Sequence, residues 1–347
     1  MLIDGLVARG ATVLECQAPL WEGREHKTDD ALAPGRLMRL GAGAAAGWAR
    51  LARRQTCVPR PAAIVVGYPS QPDALPAWAL SRVRRAPLVV DGMIALSDAM
   101  SDRGRGGRAT WALAALDRIA FRAGDLVIAD TEANAAWLRG RFGLATHRVA
   151  AVPVGADPQV FAPVAPPQGP PTALFVGKLA PLHGLDVVLA AARRPGVPPV
   201  RIIGDGQLGP WLADQLRRDP PPGVTHVPWV PFADLGDEVR AATVCLGVFG
   251  RSERVGRVVP NKVWQAMAVG RPIVTADGPA PRELLTDGVD ALLVPPGDPD
   301  ALADALRRLA ADPGLRARLG AAARARYVSR GTPAAVADTF LRAIGRI

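Results

Sequence analysis

Short apolar runs of strand length alternate with runs of helical spacing along nearly all of this 347-residue chain, and the alternation breaks once, in a proline-rich stretch over 158–171. Parallel strands cannot be joined by a tight hairpin and need a crossover, ordinarily a helix, so repeated strand–helix–strand patterning leads to a parallel sheet. The expected architecture is α/β, with two doubly wound parallel-sheet domains facing one another across a cleft. In such sheets ligands collect outside the carboxyl ends of the strands, so the loop after each strand carries the functional reading.

The first domain is expected over 1–157. Residues 2–9 read as a helix stopped by Gly10, and 11–16 as a strand. Further strands fall at 62–69, 86–92, 125–130 and 147–155, with helices at 73–84, 109–122 and 132–141, the last capped by Thr131. A doubly wound sheet ordinarily opens with a strand, so this domain reads as lacking its first one. Either Met1 is an internal start in a longer gene, or the domain is built without that strand. Residues 36–54 place Leu37, Leu40, Ala44, Trp48 and Leu51 at helical spacing with five arginines elsewhere on the wheel, a basic face suited to solvent or to an anionic membrane surface. After the linker at 158–171 the alternation restarts over 172–330, with strands at 200–206, 223–228, 244–249, 272–275 and 291–296. A final helix over 331–347 is expected to cross back toward the first domain.

Bulk properties narrow the function. The net charge is +10, divided evenly between the two halves, and basic residues do not interleave with aromatics, so a nucleic-acid arm is not expected while polyanionic small ligands are. No apolar run approaches the roughly 20 residues that span a bilayer. Cys16, Cys57 and Cys245 are odd in number and far apart, which suits reduced thiols in a reducing compartment, and a cytoplasmic location is the expectation. No Ser-His-Asp, HExxH or CxxC arrangement points to covalent hydrolysis, zinc or redox chemistry.

The stretch Gly247 to Gly278 concentrates the site signals. A buried strand ends in a charged loop containing Gly250 and Gly256, Pro260 and Asn261 open a short helix carrying Val263, Trp264 and Met267, and Gly270 stops it. Lys262 falls in the first turn, where a cation opposes the helix dipole unless a bound anion accompanies it. The chain has 42 Lys plus Arg but only three lysines, Lys27, Lys178 and Lys262, and two of these follow strands in glycine-containing turns. VGKLAPLHG, with Lys178 and His183 between a strand and a helix, supplies a fixed cation, an imidazole and free backbone N–H groups for phosphate. GDGQLG, 204–209, matches G-x-G-x-x-G, but the next strand offers His226 rather than a carboxylate, so a tight turn near a ligand is preferred to a dinucleotide site. Asp91 ends a buried strand at the carboxyl edge of the first sheet, followed by the loop through Asp98, Asp102 and Arg103.

Taken together, VGKLAPLHGLDVVLAA, RIIGDG, PNKVWQAMAVGRPIV, PRELLTDG and LVPPGDPDALADALRRL resemble the retaining, nucleotide-sugar-dependent glycosyltransferases of the GT-B fold, family 4. The resemblance is strong from about 172 to 312 and weak before 150. It implies a nucleoside diphosphate sugar as donor and co-substrate, no other cofactor and no metal. Gly177, Lys178, His183 and Lys262 would hold the donor diphosphate, with His183 where the family usually has lysine. The family's two glutamates, seven residues apart, hold donor sugar and ribose. Gln265 stands at the second position and Arg257, by strict counting, at the first, unless a longer loop brings Glu253 there. Asp91 and Glu253 are the catalytic candidates. The implied acceptor is a saccharide, a lipid-linked sugar or a small molecule, with peripheral contact to an anionic membrane as an accompanying expectation. The rivals are a non-catalytic or truncated nucleotide-sugar-binding protein of the same fold and a nucleotide-sugar epimerase.

Overall fold

The computed structural model describes residues 1–16, 47–51, 53, 58–104 and 107–347. Lys27, Cys57 and most of the basic segment 36–54 lie outside them. Four parallel strands form the first sheet: β1 (Ile64–Val66), β2 (Leu88–Asp91), β3 (Leu126–Ala129) and β4 (Val149–Ala151), side by side in chain order. An order that never reverses, joined by right-handed crossovers, sends every connecting helix to the same face. Helices α2 (Ala74–Arg84), α4 (Arg108–Ala123) and α5 (Glu132–Phe142) share that face, where Leu88, Val90, Val127, Ala129 and Val149 meet Phe121, Leu138 and Phe142.

The alternate residues, Val89, Leu126, Ile128, Ala150 and Val152, point the other way and need a different cover. It comes from the far end of the chain. Helix α13 (Pro333–Ile344) lays Val336, Phe340 and Ala343 on them, and α1 (Leu2–Ala8) packs beside it through Leu2 and Leu6. Residues 11–16 are not a strand, which corrects the sequence expectation: they follow α1 without regular structure and none of them is buried, Leu14 being 56% exposed. An apolar alternation with no buried face does not fix a strand in a sheet.

The second sheet has six parallel strands: β5 (Ala173–Val176), β6 (Val200–Ile203), β7 (Val224–Val227), β8 (Val244–Leu246), β9 (Ile273–Ala276) and β10 (Leu292–Val294), in the order β10-β9-β8-β5-β6-β7. The chain starts in the middle, builds outward through β6 and β7, then returns to β8 and builds the other way. The reversal lies between β5 and β8, and there the loops leave in opposite directions to open a crevice. Helices α6 (Leu185–Ala192), α7 (Gly209–Arg218) and α11 (Pro299–Ala311) cover one face; α8 (Leu235–Ala241), α9 (Asn261–Val269) and the later part of α12 (Pro313–Arg330) cover the other.

The proline-rich segment is pinned to the second domain. Phe161 is buried there and meets Phe232 edge-on, and the carbonyls of Val164 and Ala165 accept from the buried guanidinium of Arg271. The two chain crossings between domains run side by side: Ala156 N donates to Gly331 O at 3.2 Å and Tyr327 donates its hydroxyl to Ala156 O at 2.7 Å. Gly155 has φ +70°, and a Cβ on it would stand 2.3 Å from Gly331 O, so only glycine fits this crossing.

Candidate functional site

Glycine contacts bundle three loops at the crevice of the second sheet. The loop after β5 passes Gly177, whose φ of +138° strongly disfavours a side chain. A Cβ on Gly204, the first glycine of GDGQLG, would stand 2.0 Å from Gly177 O. These glycines therefore serve loop-on-loop packing, and the second loop braces the first. Gly184 likewise sits against the backbone of Phe249 and Gly250, joining the β5 loop to the loop after β8.

Helix α9 starts at Asn261 after an extended Pro260, with no side chain capping its first N–H groups. Lys262 does not project into open cleft. Its Nζ is buried without a hydrogen-bond partner, 3.6 Å from the centroid of the Phe175 ring, and burial holds its pKa well below the usual lysine value. A Cβ on Gly177 would lie 3.3 Å from Lys262 Nζ and 3.7 Å from His183 Cε1, so the missing side chain is what leaves these two groups room. Burial depresses the His183 pKa to about 2, so the ring is neutral; its Nδ1 is also buried and unpartnered. Lys178 is exposed at the outer side of the same loop. The structure thus brings Gly177, His183 and Lys262 together over Phe175, a residue that no signal in the sequence singled out.

The carboxyl edge of the first sheet supplies the opposite wall. Asp91 ends β2; burial raises its pKa, opposed by the Met93 N–H donating at 2.9 Å. Asp130 follows β3 and is raised to about 6, again by burial, although Asn134 donates to it at 2.7 Å. The sequence reading passed over Asp130, yet it carries the mark that singled out Asp91: an acid closing a buried strand. Helix α3 (Leu96–Asp102) is fixed by the fully buried Asp117, which accepts from Leu96 N and from Ser97 N and Oγ. That fixes Asp98 over the second domain, where Arg257 pairs with it at 3.0 Å and Arg254 approaches at 3.6 Å.

Arg257 also stacks on Trp137, with its Cζ 4.1 Å from the ring centroid, and its carbonyl accepts from Thr131 at 2.6 Å. Its guanidinium is therefore held against the first domain. Glu253 is exposed on the same loop and Gln265 is half-buried on α9. Three more hydrogen bonds cross between the domains. Glu283, on α10 (Pro279–Leu284), accepts from Glu132 N and Ala133 N at the start of α5, and Gln207 donates to Arg103 O at 3.3 Å.

Buried polar groups normally find partners, so orphans mark places where something else binds. Among the described residues seven buried side-chain polar atoms have none. Six belong to Asp102, His183, Ser252, Arg257 and Lys262, all at the facing edges of the two sheets. Asp102 and Ser252 also line a cavity of about 460 Å³, floored by Pro181, Leu208 and Trp211. Among the described residues no three His, Cys, Asp or Glu side chains gather into a metal-type cluster, and no helix is long and apolar enough to cross a membrane.

Residues 170–312 match the family model of the group 1 glycosyl transferases. A D-inositol 3-phosphate glycosyltransferase of Thermobifida fusca is 31% identical over 229 residues, covering 57% of this chain and 50% of the relative. The chain spans about half the length of the curated relatives it matches. Among solved structures, sucrose-phosphate synthase from Thermosynechococcus elongatus superposes with a TM-score of 0.73 at 19% identity, over 90% of this chain and 79% of that one. HepE of Anabaena, solved in complex with UDP, gives 0.69 at 18% identity, over 88% and 84%. These likenesses establish the GT-B fold.

Proposed function

We propose that the protein, whose residues 170–312 match the group 1 glycosyl transferases, transfers a sugar from a nucleoside diphosphate donor to a hydroxyl acceptor, with retention of configuration. The observation that carries this reading is the set of orphaned buried polar atoms on Asp102, His183, Ser252, Arg257 and Lys262 at the mouth of the crevice. Phosphate oxygens and sugar hydroxyls are the partners such a mixture of donors and acceptors calls for.

In this reading the diphosphate lies over Gly177, close to the free N–H groups at the start of α9, with Lys178 and Lys262 as its cations and His183 as a neutral hydrogen-bonding group. The bond from the anomeric carbon to the diphosphate breaks, negative charge develops on the leaving oxygens, and those cations stabilise it without a metal ion. The acceptor hydroxyl attacks from the face the diphosphate leaves, close to Asp91, and its proton passes to a departing diphosphate oxygen. The acceptor is a saccharide, a lipid-linked sugar or a small molecule, met by the first domain. The protein acts in the cytoplasm, and its charge of +10 favours company with anionic lipid.

The alternative, a nucleotide-sugar-binding protein without transferase activity, has one observation in its favour: Arg257 stands at the first family glutamate and directs its guanidinium to Asp98 and Trp137. Release of nucleoside diphosphate from UDP-, GDP- and ADP-sugars, with and without sugar acceptors, separates the two readings. Transfer predicts acceptor-dependent release that falls about 100-fold in Lys178→Ala, the scale of losing one preorganised charge-stabilising group. Binding of a donor with no release to any acceptor or to water would establish the alternative.

A further inference from the structure

We propose that the donor diphosphate binds together with a proton, which lodges on Lys262 Nζ. This rests on the donor-site reading above but concerns the charge state of the empty site. An ammonium presents three donors and no acceptor, and here none of them is used: Nζ is sealed from solvent with only the Phe175 face beneath it. A ring face attracts a cation but does not replace a hydration shell or an anion.

Two carboxylates belong to the same neighbourhood, Asp130, which acts with Arg254 and the Val259 N–H, and the exposed Glu253, but neither offsets the burial of Lys262. On the β5 loop the facing group is His183, itself neutral, and Arg254 of the 253–257 turn is a further cation acting on that ring. On the helices packed against α9, Arg324 donates to Ala268 O, Asp237 is paired with Arg240, and Glu238 with Arg201. Beneath α9, the Cys245 thiol is pushed up to about 12 by burial and so stays protonated. Burial acts on Lys262 with no carboxylate to offset it. In the ligand-free protein burial therefore favours the uncharged amine.

A diphosphate placed over Gly177 reverses this balance. Its negative oxygens come within reach of the amine, the ammonium becomes the stable form, and the proton is drawn from the solvent buffer. Lys262 takes it in preference to His183 because an amine is the stronger base by several pH units. When the nucleoside diphosphate leaves, the proton returns to solvent. The free site thereby avoids holding a buried charge, and the bound one gains a cation placed against the leaving group.

Titration calorimetry of UDP, GDP and ADP in Tris and in HEPES at pH 8.0 reads proton uptake directly, because the two buffers differ in ionisation heat. The wild type should take up close to one proton per nucleotide bound, and its affinity should fall toward tenfold per pH unit over the range where uptake is seen. Lys262→Arg, whose guanidinium stays charged, should bind with uptake near zero, and Lys262→Met should bind at least tenfold more weakly, each with an intact melting transition. Binding by the wild type without uptake, or equal uptake in Lys262→Arg, overturns the inference and leaves the donor site standing. If none of the three nucleotides binds the folded wild type, the donor-site reading falls and the inference falls with it.

Discussion

Asp130 carries the clearest titration in the molecule. Its carboxyl is buried and its pKa rises from 3.8 to about 6, so the folded protein holds this proton more tightly than the unfolded chain does. A raised folded pKa means that the associated stability is fully present below the unfolded value and is lost as pH rises through the folded one. Ionising Asp130 thus removes up to about 3 kcal/mol between roughly pH 4 and pH 6 and above. Asp130→Asn abolishes the penalty while its amide oxygen can still accept from Asn134, so it should match wild type near pH 4 and exceed it by up to about 3 kcal/mol at pH 7.5. Urea unfolding of both proteins at the two pH values measures this, and an unchanged difference would contradict it. Single residues were legible where composition made them stand out: lysine is so scarce that Lys178 and Lys262 drew notice by position alone. Phe175 was not legible, because a phenylalanine within a strand reads as core whether or not a cation rests on it.

The turn over 253–257 and helix α3 form the main clasp between the domains at the cleft. Asp98 and Arg257 are 19% and 13% exposed, so their ion pair is largely shielded from water. Removing one partner of a shielded pair leaves the other charge uncompensated, at a typical cost of about 3 kcal/mol. Asp98→Ala is therefore predicted to lower stability by about that much and to loosen the clasp, seen as an increased radius of gyration in solution scattering. Wild-type stability and dimensions in the variant would show that the pair holds nothing. Strands and helices of the second domain were readable because each buried strand there has a neighbour on both sides or a helix over both faces. The run 11–16 misled because its apolar pattern is local, while pairing depends on what lies alongside. The role of Arg257 was hidden for a related reason: its partners, Asp98 and Trp137, are more than a hundred residues away in sequence.

At the scale of the whole chain, the second sheet reverses direction and the described part of the first does not, and this difference locates the crevice. The crevice, the glycine-packed loops and the buried Lys262 all lie at the reversal between β5 and β8, while the unreversed sheet needs α13 from the chain's far end to cover its second face. Two α/β halves and their boundary could be read from the alternation and the proline-rich break. The pinning of that break by Phe161 and Arg271 could not, since prolines report only that regular structure stops. The central claim is that a nucleoside diphosphate sits at the reversal, over Gly177 with Lys178 and Lys262. Thermal unfolding of wild type and Lys178→Ala with UDP, GDP and ADP tests it most directly. A nucleotide at ~100 times its dissociation constant stabilises by about 2.7 kcal/mol, a clear rise in melting temperature. At least one nucleotide should produce that rise in wild type and much less of it in Lys178→Ala; equal shifts in both proteins, or none in a well-folded wild type, would contradict the site.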